Sequence, residues 1–324
     1  LAATLTSAAN AGVVTDWTYD NQAGFATYNG ESTDTYPNDE VVATGNSATG
    51  DNSALTSNAG NILDTNGDFV VDGTDNALHT SLSWGTPALS NAGLQSSLDI
   101  ESPVTGAVTT NDSAWAQGTS ITHENWVIVG DALTSATVFD GLAFQPTAWE
   151  ADGDDVSALT DNAPYFAPQL QFGINFFETP NKGEDGQCPD GNARGVGDNV
   201  NGCGDIFEIT GLELLPFAPI VGLDFLQFTF PFVLMDATNT PIPGWGDTVY
   251  YVTTRLSGLT SLSSGYECSN SQPACFGFVT KEQETNVLNA EYKISTTVPE
   301  PSTIAIFGLG LLGAGFSNRK RRNS

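Results

Sequence analysis

Asn286-Val287-Leu288-Asn289-Ala290-Glu291-Tyr292-Lys293-Ile294-Ser295 is the stretch that decides the fold. Leu288, Ala290, Tyr292 and Ile294 fall on one side of an extended chain, and Asn289, Glu291, Lys293 and Ser295 fall on the other. Successive side chains of a strand point to opposite faces, so such a segment buries one face and wets the other. Residues 169–177 repeat the pattern with Leu170, Phe172, Ile174 and Phe176, and residues 224–235 with Phe228, Phe230, Phe232 and Leu234. Pro231 lacks an N–H for a ladder, which assigns that strand to a sheet edge or a bulge. Residues 248–256 are rich in β-branched and aromatic side chains, the types that suit a pleated surface. Residues 126–129 and 132–139 read as a hairpin around Gly130-Asp131. No long amphipathic helix precedes the C-terminal tail. Many alternating runs separated by Gly, Asn and Asp turns predict an all-β protein, a jelly-roll-like β-sandwich over residues 12–298. Residues 30–62 hold few large apolar groups and read as a long surface excursion.

The charge balance limits the partners. Nine Lys and Arg stand against 38 Asp and Glu, and four of the nine are Arg319, Lys320, Arg321 and Arg322. The rest of the chain thus has five basic against 38 acidic groups. Nucleic acid and anionic headgroups are bound by basic side chains that displace counterions, so nucleic acid is excluded as a partner. Such a surface suits a soluble protein in salt- or calcium-containing water. At the other end, Ala9 and Ala11 occupy the −3 and −1 positions of a signal-peptidase site. Residues 1–11 therefore read as a signal-peptide remnant, with Gly12 as the mature start.

Four cysteines fit export to an oxidising compartment. They lie as two local pairs, Cys188 with Cys203 and Cys268 with Cys275. Three connectivities are open, and local pairing is the simplest. With no Cys-x-x-Cys and two His in the chain, the spacing argues against a zinc site.

The tail has three parts in order: Val298-Pro299-Glu300-Pro301, an apolar segment over 302–317, and the basic end at 319–322. The prolines hold an extended segment that a protease cleft accepts. As a helix the apolar segment reaches roughly 24 Å at ~1.5 Å per residue, short of the ~30 Å of a bilayer core. Flanking residues or local thinning close that gap, and the basic end holds the C-terminus in the cytoplasm.

This arrangement resembles the PEP-CTERM sorting signal, with Pro299, Glu300 and Pro301 as its signature. The resemblance implies an exosortase as processing partner and transient anchoring in the inner membrane. Delivery to the cell surface or an exopolysaccharide matrix follows from it. A second resemblance rests on Thr122-His123-Glu124-Asn125, with Leu82-Ser83-Trp84-Gly85-Thr86-Pro87 before it and Phe177-Glu178-Thr179-Pro180-Asn181 after it. Cys188-Pro189-Asp190-Gly191, Cys203-Gly204-Asp205-Ile206-Phe207 and Cys275-Phe276-Gly277-Phe278 complete the set. Together they are similar to the THxN family of PEP-CTERM proteins, whose motif residues here are Thr122, His123 and Asn125. That family implies an extracellular β domain of no assigned activity, and with no Gly-x-Ser-x-Gly or His-Glu-x-x-His in the sequence the chain reads as no enzyme. It is also similar to domains called choice-of-anchor.

Two stretches carry candidate chemistry. Thr122 and Asn125 can bond backbone groups and close a turn, with His123 bridging two of them; metal or ligand binding and catalysis are the alternatives. Asp64, Asn66, Asp68, Asp72 and Asp75 occupy positions 1, 3, 5, 9 and 12 of a run that resembles an EF-hand calcium loop. Phe69 replaces the Gly of the sharp turn and Asp75 the bidentate Glu, so the run reads either as a calcium site or as a solvated acidic turn. Calcium is the one cofactor in view. Three functions follow: a non-enzymatic surface or matrix protein, a carbohydrate-binding module using Trp17, Trp84, Trp115, Trp149 and Trp245, or a glycan-active enzyme using Glu178 and Glu208.

Overall fold

A computed structural model describes residues 12–31, 39–48, 62–65, 75–88, 93–150, 155–179, 186–211, 218–236, 238–262 and 276–297. In chain order its strands are β1 (Val13–Gly30), β2 (Val42–Thr44), β3 (Ser81–Trp84), β4 (Thr86–Pro87), β5 (Ser96–Glu101), β6 (Val104–Thr109), β7 (Ala116–Asn125), β8 (Ile128–Val129), β9 (Leu133–Glu150), β10 (Tyr165–Phe166), β11 (Leu170–Phe177), β12 (Asp205–Thr210), β13 (Ile220–Val221), β14 (Phe225–Phe232), β15 (Tyr250–Ser257), β16 (Thr260–Ser261), β17 (Phe276–Thr280) and β18 (Glu284–Ser295). One short α-helix, α1 (Val156–Asp161), follows β9. No helix among the described residues is long and apolar enough to cross a membrane.

Two large antiparallel sheets face each other. The first runs β16-β17-β12-β11-β9-β1-β6, with β10 added to β9. The second runs β13-β14-β15-β18-β7-β5-β3-β2. This is the expected all-β sandwich. The alternating run 286–295 lies in β18, with Leu288, Ala290, Tyr292 and Ile294 all buried. β18 sits mid-sheet between β15 and β7, so its inner face meets the core along its whole length.

Aromatic rings fill the space between the sheets. Trp17 of β1 packs edge-on against Tyr250 of β15 at 5.3 Å and Phe232 of β14 at 6.3 Å. Burying such rings is the main driving force for bringing two apolar faces together. Pro231 lies in β14, whose outer neighbour β13 pairs only at Leu226 and Gln227. At Pro231, paired in register with Tyr251, β15 is therefore the one strand neighbour of β14 among the described residues, as expected of an edge.

Two expectations need correction. Residues 126–129 and 132–139 form no hairpin: Ile128 and Val129 pair instead with Pro87 and Thr86, while β9 pairs with β1 from Leu133 to Glu150. The Asp39 carboxylate accepts from the Asp131 N–H and turns the chain away at the point where a hairpin would have closed. The described part of residues 30–62 is also more than a surface excursion. Val42–Thr44 adds an edge strand to β3, and Asp39, Asn46 and Ser47 are buried as clamps. Small polar residues can be buried when backbone groups satisfy them: the Ser47 hydroxyl accepts from Leu78 N–H and its carbonyl from the Ser102 hydroxyl.

Candidate functional site

The rule that built the strands also builds a polar cluster at one end of the sandwich. On β11 the inward row is Leu170, Phe172, Ile174 and Phe176, and its next member is Glu178. On β12 the row is Ile209, Phe207 and then Asp205 at the strand start. On β17 it is Phe276, Phe278 and Thr280, and continues to Glu282. These strands are antiparallel neighbours, so the end of β11, the start of β12 and the end of β17 come together. From the opposite sheet β7 sends in Ile121, His123 and Asn125.

Beneath this end lies an aromatic block. His123 stacks on Trp84 at 5.7 Å and meets Phe207 at 5.1 Å, and Phe176 meets Trp84 at 5.1 Å and Phe207 at 4.8 Å. Apolar walls strip water from any charge set on them. Burial pushes the His123 pKa down to about 3, so its imidazole is neutral. The Thr280 hydroxyl donates to the Asp205 carbonyl at 3.3 Å, leaving its oxygen to accept from His123 Nδ1 at 3.0 Å. That order of donors assigns the imidazole proton to Nδ1. Nε2 has no hydrogen-bond partner. Asn125 Nδ2 reaches the Thr280 hydroxyl at 3.4 Å, and its Oδ1 is buried without a partner.

Three carboxylates converge here. One oxygen from each of Glu178, Asp205 and Glu282 lies within 4.8 Å of the others. Asp205 is fully buried; its Oδ1 accepts from Thr179 N–H at 2.8 Å and its Oδ2 has no hydrogen-bond partner among the described residues. Glu178 Oε2 is likewise buried and unpartnered. The neighbouring Trp84 indole N–H favours the ionised Glu178 carboxylate and opposes its pKa rise. Burial, then repulsion from Glu282, pushes the Glu178 pKa up to about 8. Burial raises Glu282 to about 7. Asp205 is raised well above the carboxylate range by burial and by both neighbours. No ion pair reaches Glu178 or Asp205 among the described residues; the nearby Lys281 ammonium lies 4.0 Å from Asp198 instead.

The loop before β12 holds Asp205 in place. A disulfide joins Cys188 to Cys203, the local pairing expected. Asp190 accepts from Asn192 N–H and from the Asn199 amide, and Asn199 Oδ1 in turn accepts from Gly204 N–H at 2.8 Å. A Cβ at Gly204 would collide with the Thr280 carbonyl, so β12 can approach β17 this closely only with glycine there. The Thr179 hydroxyl donates to the Cys203 carbonyl at 2.8 Å, tying the residue after Glu178 to the residue two before Asp205.

The THxN segment lies in strand β7, not in a turn. Thr122 is only half-buried, outside the inward row of His123 and Asn125. Of the residues read as a candidate calcium loop, Asp75 is fully buried and its Oδ1 accepts from Thr65 N–H at 2.7 Å. The Asp64 backbone bonds the Gln169 amide in both directions. Asn66, Asp68, Asp72, Cys268, Cys275, Pro299, Glu300 and Pro301 lie outside the described residues, as do residues 1–11, 302–317 and 319–322. Glu178 and Glu208 do not converge: Glu208 follows the outward row of β12 and receives Asn175 Nδ2 at 3.5 Å. Sequence reasoning missed Asp205 and Glu282. The available signal was each inward apolar row running on, at the same parity, into a carboxylate.

Residues 297–322 match the PEP-CTERM protein-sorting motif. The match takes in the Pro-Glu-Pro signature, the apolar segment and the basic end read from the sequence. The chain therefore carries a PEP-CTERM sorting signal, which implies export, recognition by an exosortase and membrane-anchored processing before surface display. No curated protein matches the chain.

Proposed function

We propose that this chain is a non-enzymatic cell-surface or exopolysaccharide-matrix protein of the THxN type, whose β-sandwich is cargo for the sorting signal. The observation that carries the reading is the match over 297–322. The cargo domain lies ahead of that motif, ending in β18 at Ser295. Cutting within the Pro-Glu-Pro segment would leave the sandwich whole. It would also remove four of the chain's nine basic residues, leaving a more acidic product that an anionic bilayer repels.

The side chains favour this reading over its rivals. Trp17, Trp84 and Trp245 are fully buried and offer no ring face to a sugar. Trp115 is covered by the Arg255 guanidinium at 4.6 Å and the Lys293 ammonium at 4.3 Å, and Trp149 packs against the core. The Glu178 and Glu208 pair of a glycosidase is split between two faces of a sheet. The test is to express the full-length chain in its host, with and without its exosortase, and to follow intact mass and location. With the exosortase the product loses its C-terminal mass and leaves the membrane; replacing Pro299, Glu300 and Pro301 by Ala blocks both changes. A mass and membrane attachment that do not change when the exosortase is deleted would sink the proposal.

A further inference from the structure

We propose that Glu178, Asp205 and Glu282 form a calcium site that closes this end of the sandwich. Three observations point there. The donor set is convergent, with one oxygen of each carboxylate within 4.8 Å of the others. Oxygens bound to one calcium at roughly 2.3–2.6 Å lie no more than about 5 Å apart, so these three are close enough to share one ion. Asp205 is fully buried, with one oxygen unpartnered while the other is held by Thr179. Independently of the acidic cluster, Asn125 is fully buried with its carbonyl oxygen unpartnered. Its amide group touches Thr280, the register partner of Asp205.

Buried polar atoms nearly always find a partner, and clustered buried carboxylates need a cation or a proton between them. A hard divalent cation satisfies them all at once. Oxygen donors alone select calcium or magnesium over zinc or copper. Magnesium demands a near-ideal octahedron at shorter range and keeps its waters, which a largely dry site on an aromatic floor does not favour. Glu178 also borders a surface groove lined by Glu31, Ser135 and Asn175, and Glu31 adds negative potential at Glu178. Four elements distant in the chain supply the groups, so a bound ion would pin β11, β12, β17 and β7 together.

The test uses the purified full chain stripped with chelator. Calcium titrated by calorimetry should give one site per chain, with a dissociation constant on the order of 10⁻⁴–10⁻³ M, as for extracellular modules. The melting temperature should rise with calcium, and terbium bound in its place should luminesce when Trp84 is excited. D205N and E178Q should stay folded, with apo melting temperatures no lower than the parent's, and lose calcium affinity at least tenfold. D75N, in the other candidate calcium run, should bind as the parent does. No heat and no thermal shift at millimolar calcium would overturn the proposal, as would full retention of binding in D205N and E178Q. Loss in D75N alone would overturn the proposal and move the site to that run. Equal affinity for magnesium would overturn the choice of ion.

Discussion

Replacing Asp140 by Asn should remove a pH dependence that the parent carries between about pH 4 and pH 6. Asp140 of β9 is deep in the sandwich. Its carboxylate accepts from Asn21 Nδ2 at 3.0 Å, from the Thr119 hydroxyl at 2.9 Å and from the Tyr292 hydroxyl at 3.0 Å. Burial raises its pKa from 3.8 to about 6, against those three hydrogen bonds, which lower it. The native state thus holds the proton more tightly than the unfolded chain does. The resulting stability is fully present below pH 3.8 and is lost as the pH rises through 6. A rise of about two pH units at 1.36 kcal/mol each makes the loss about 3 kcal/mol. Asn keeps the shape and one acceptor, and it does not titrate. The difference in unfolding free energy between parent and D140N should therefore shift by about 3 kcal/mol in favour of D140N between about pH 3 and pH 7. Urea unfolding followed by tryptophan fluorescence, in fixed chelator, reads it; other titrating groups cancel because both proteins carry them. A gap constant to within about 0.5 kcal/mol, the usual additivity error, or a shift of the opposite sign, would refute the reasoning.

Further outcomes follow from the same contacts. Breaking the Cys188–Cys203 disulfide with a C188S/C203S double variant releases a cross-link of sequence separation 15 and should cost about 3 kcal/mol, seen as a lower urea midpoint. At Gly118 a Cβ would collide with the Tyr292 ring and sit 2.8 Å from Asn21 Oδ1. G118A should therefore lose about 1–3 kcal/mol by overpacking. The double variant G118A/Y292A should recover little, because the large-to-small change leaves a cavity; differential scanning calorimetry separates these.

The strands were legible because alternation is a local property. Leu288, Ala290, Tyr292 and Ile294 show their common face within one short run, and the structure buries all four. The disulfide was legible for the same reason, since both cysteines lie in one loop. The hairpin at 126–139 was misread because turn residues report a bend, not the partner: Gly130-Asp131 does turn, but Asp39 receives it. The THxN segment was misplaced because Thr, His and Asn favour turns only in isolation. In β7 their backbone groups are taken by β5 and β18.

By itself the sequence determined the destination of this protein and its class of fold. A sorting signal is read by another enzyme as a linear string, and strand alternation repeats every two residues, so neither needs a distant partner. Only the tertiary structure decided that Glu178, Asp205 and Glu282 are neighbours. Each ends an ordinary inward row, and what joins them is the antiparallel order of β11, β12 and β17. Sheet order is set by long-range packing of the two faces, and no residue of those strands records it locally.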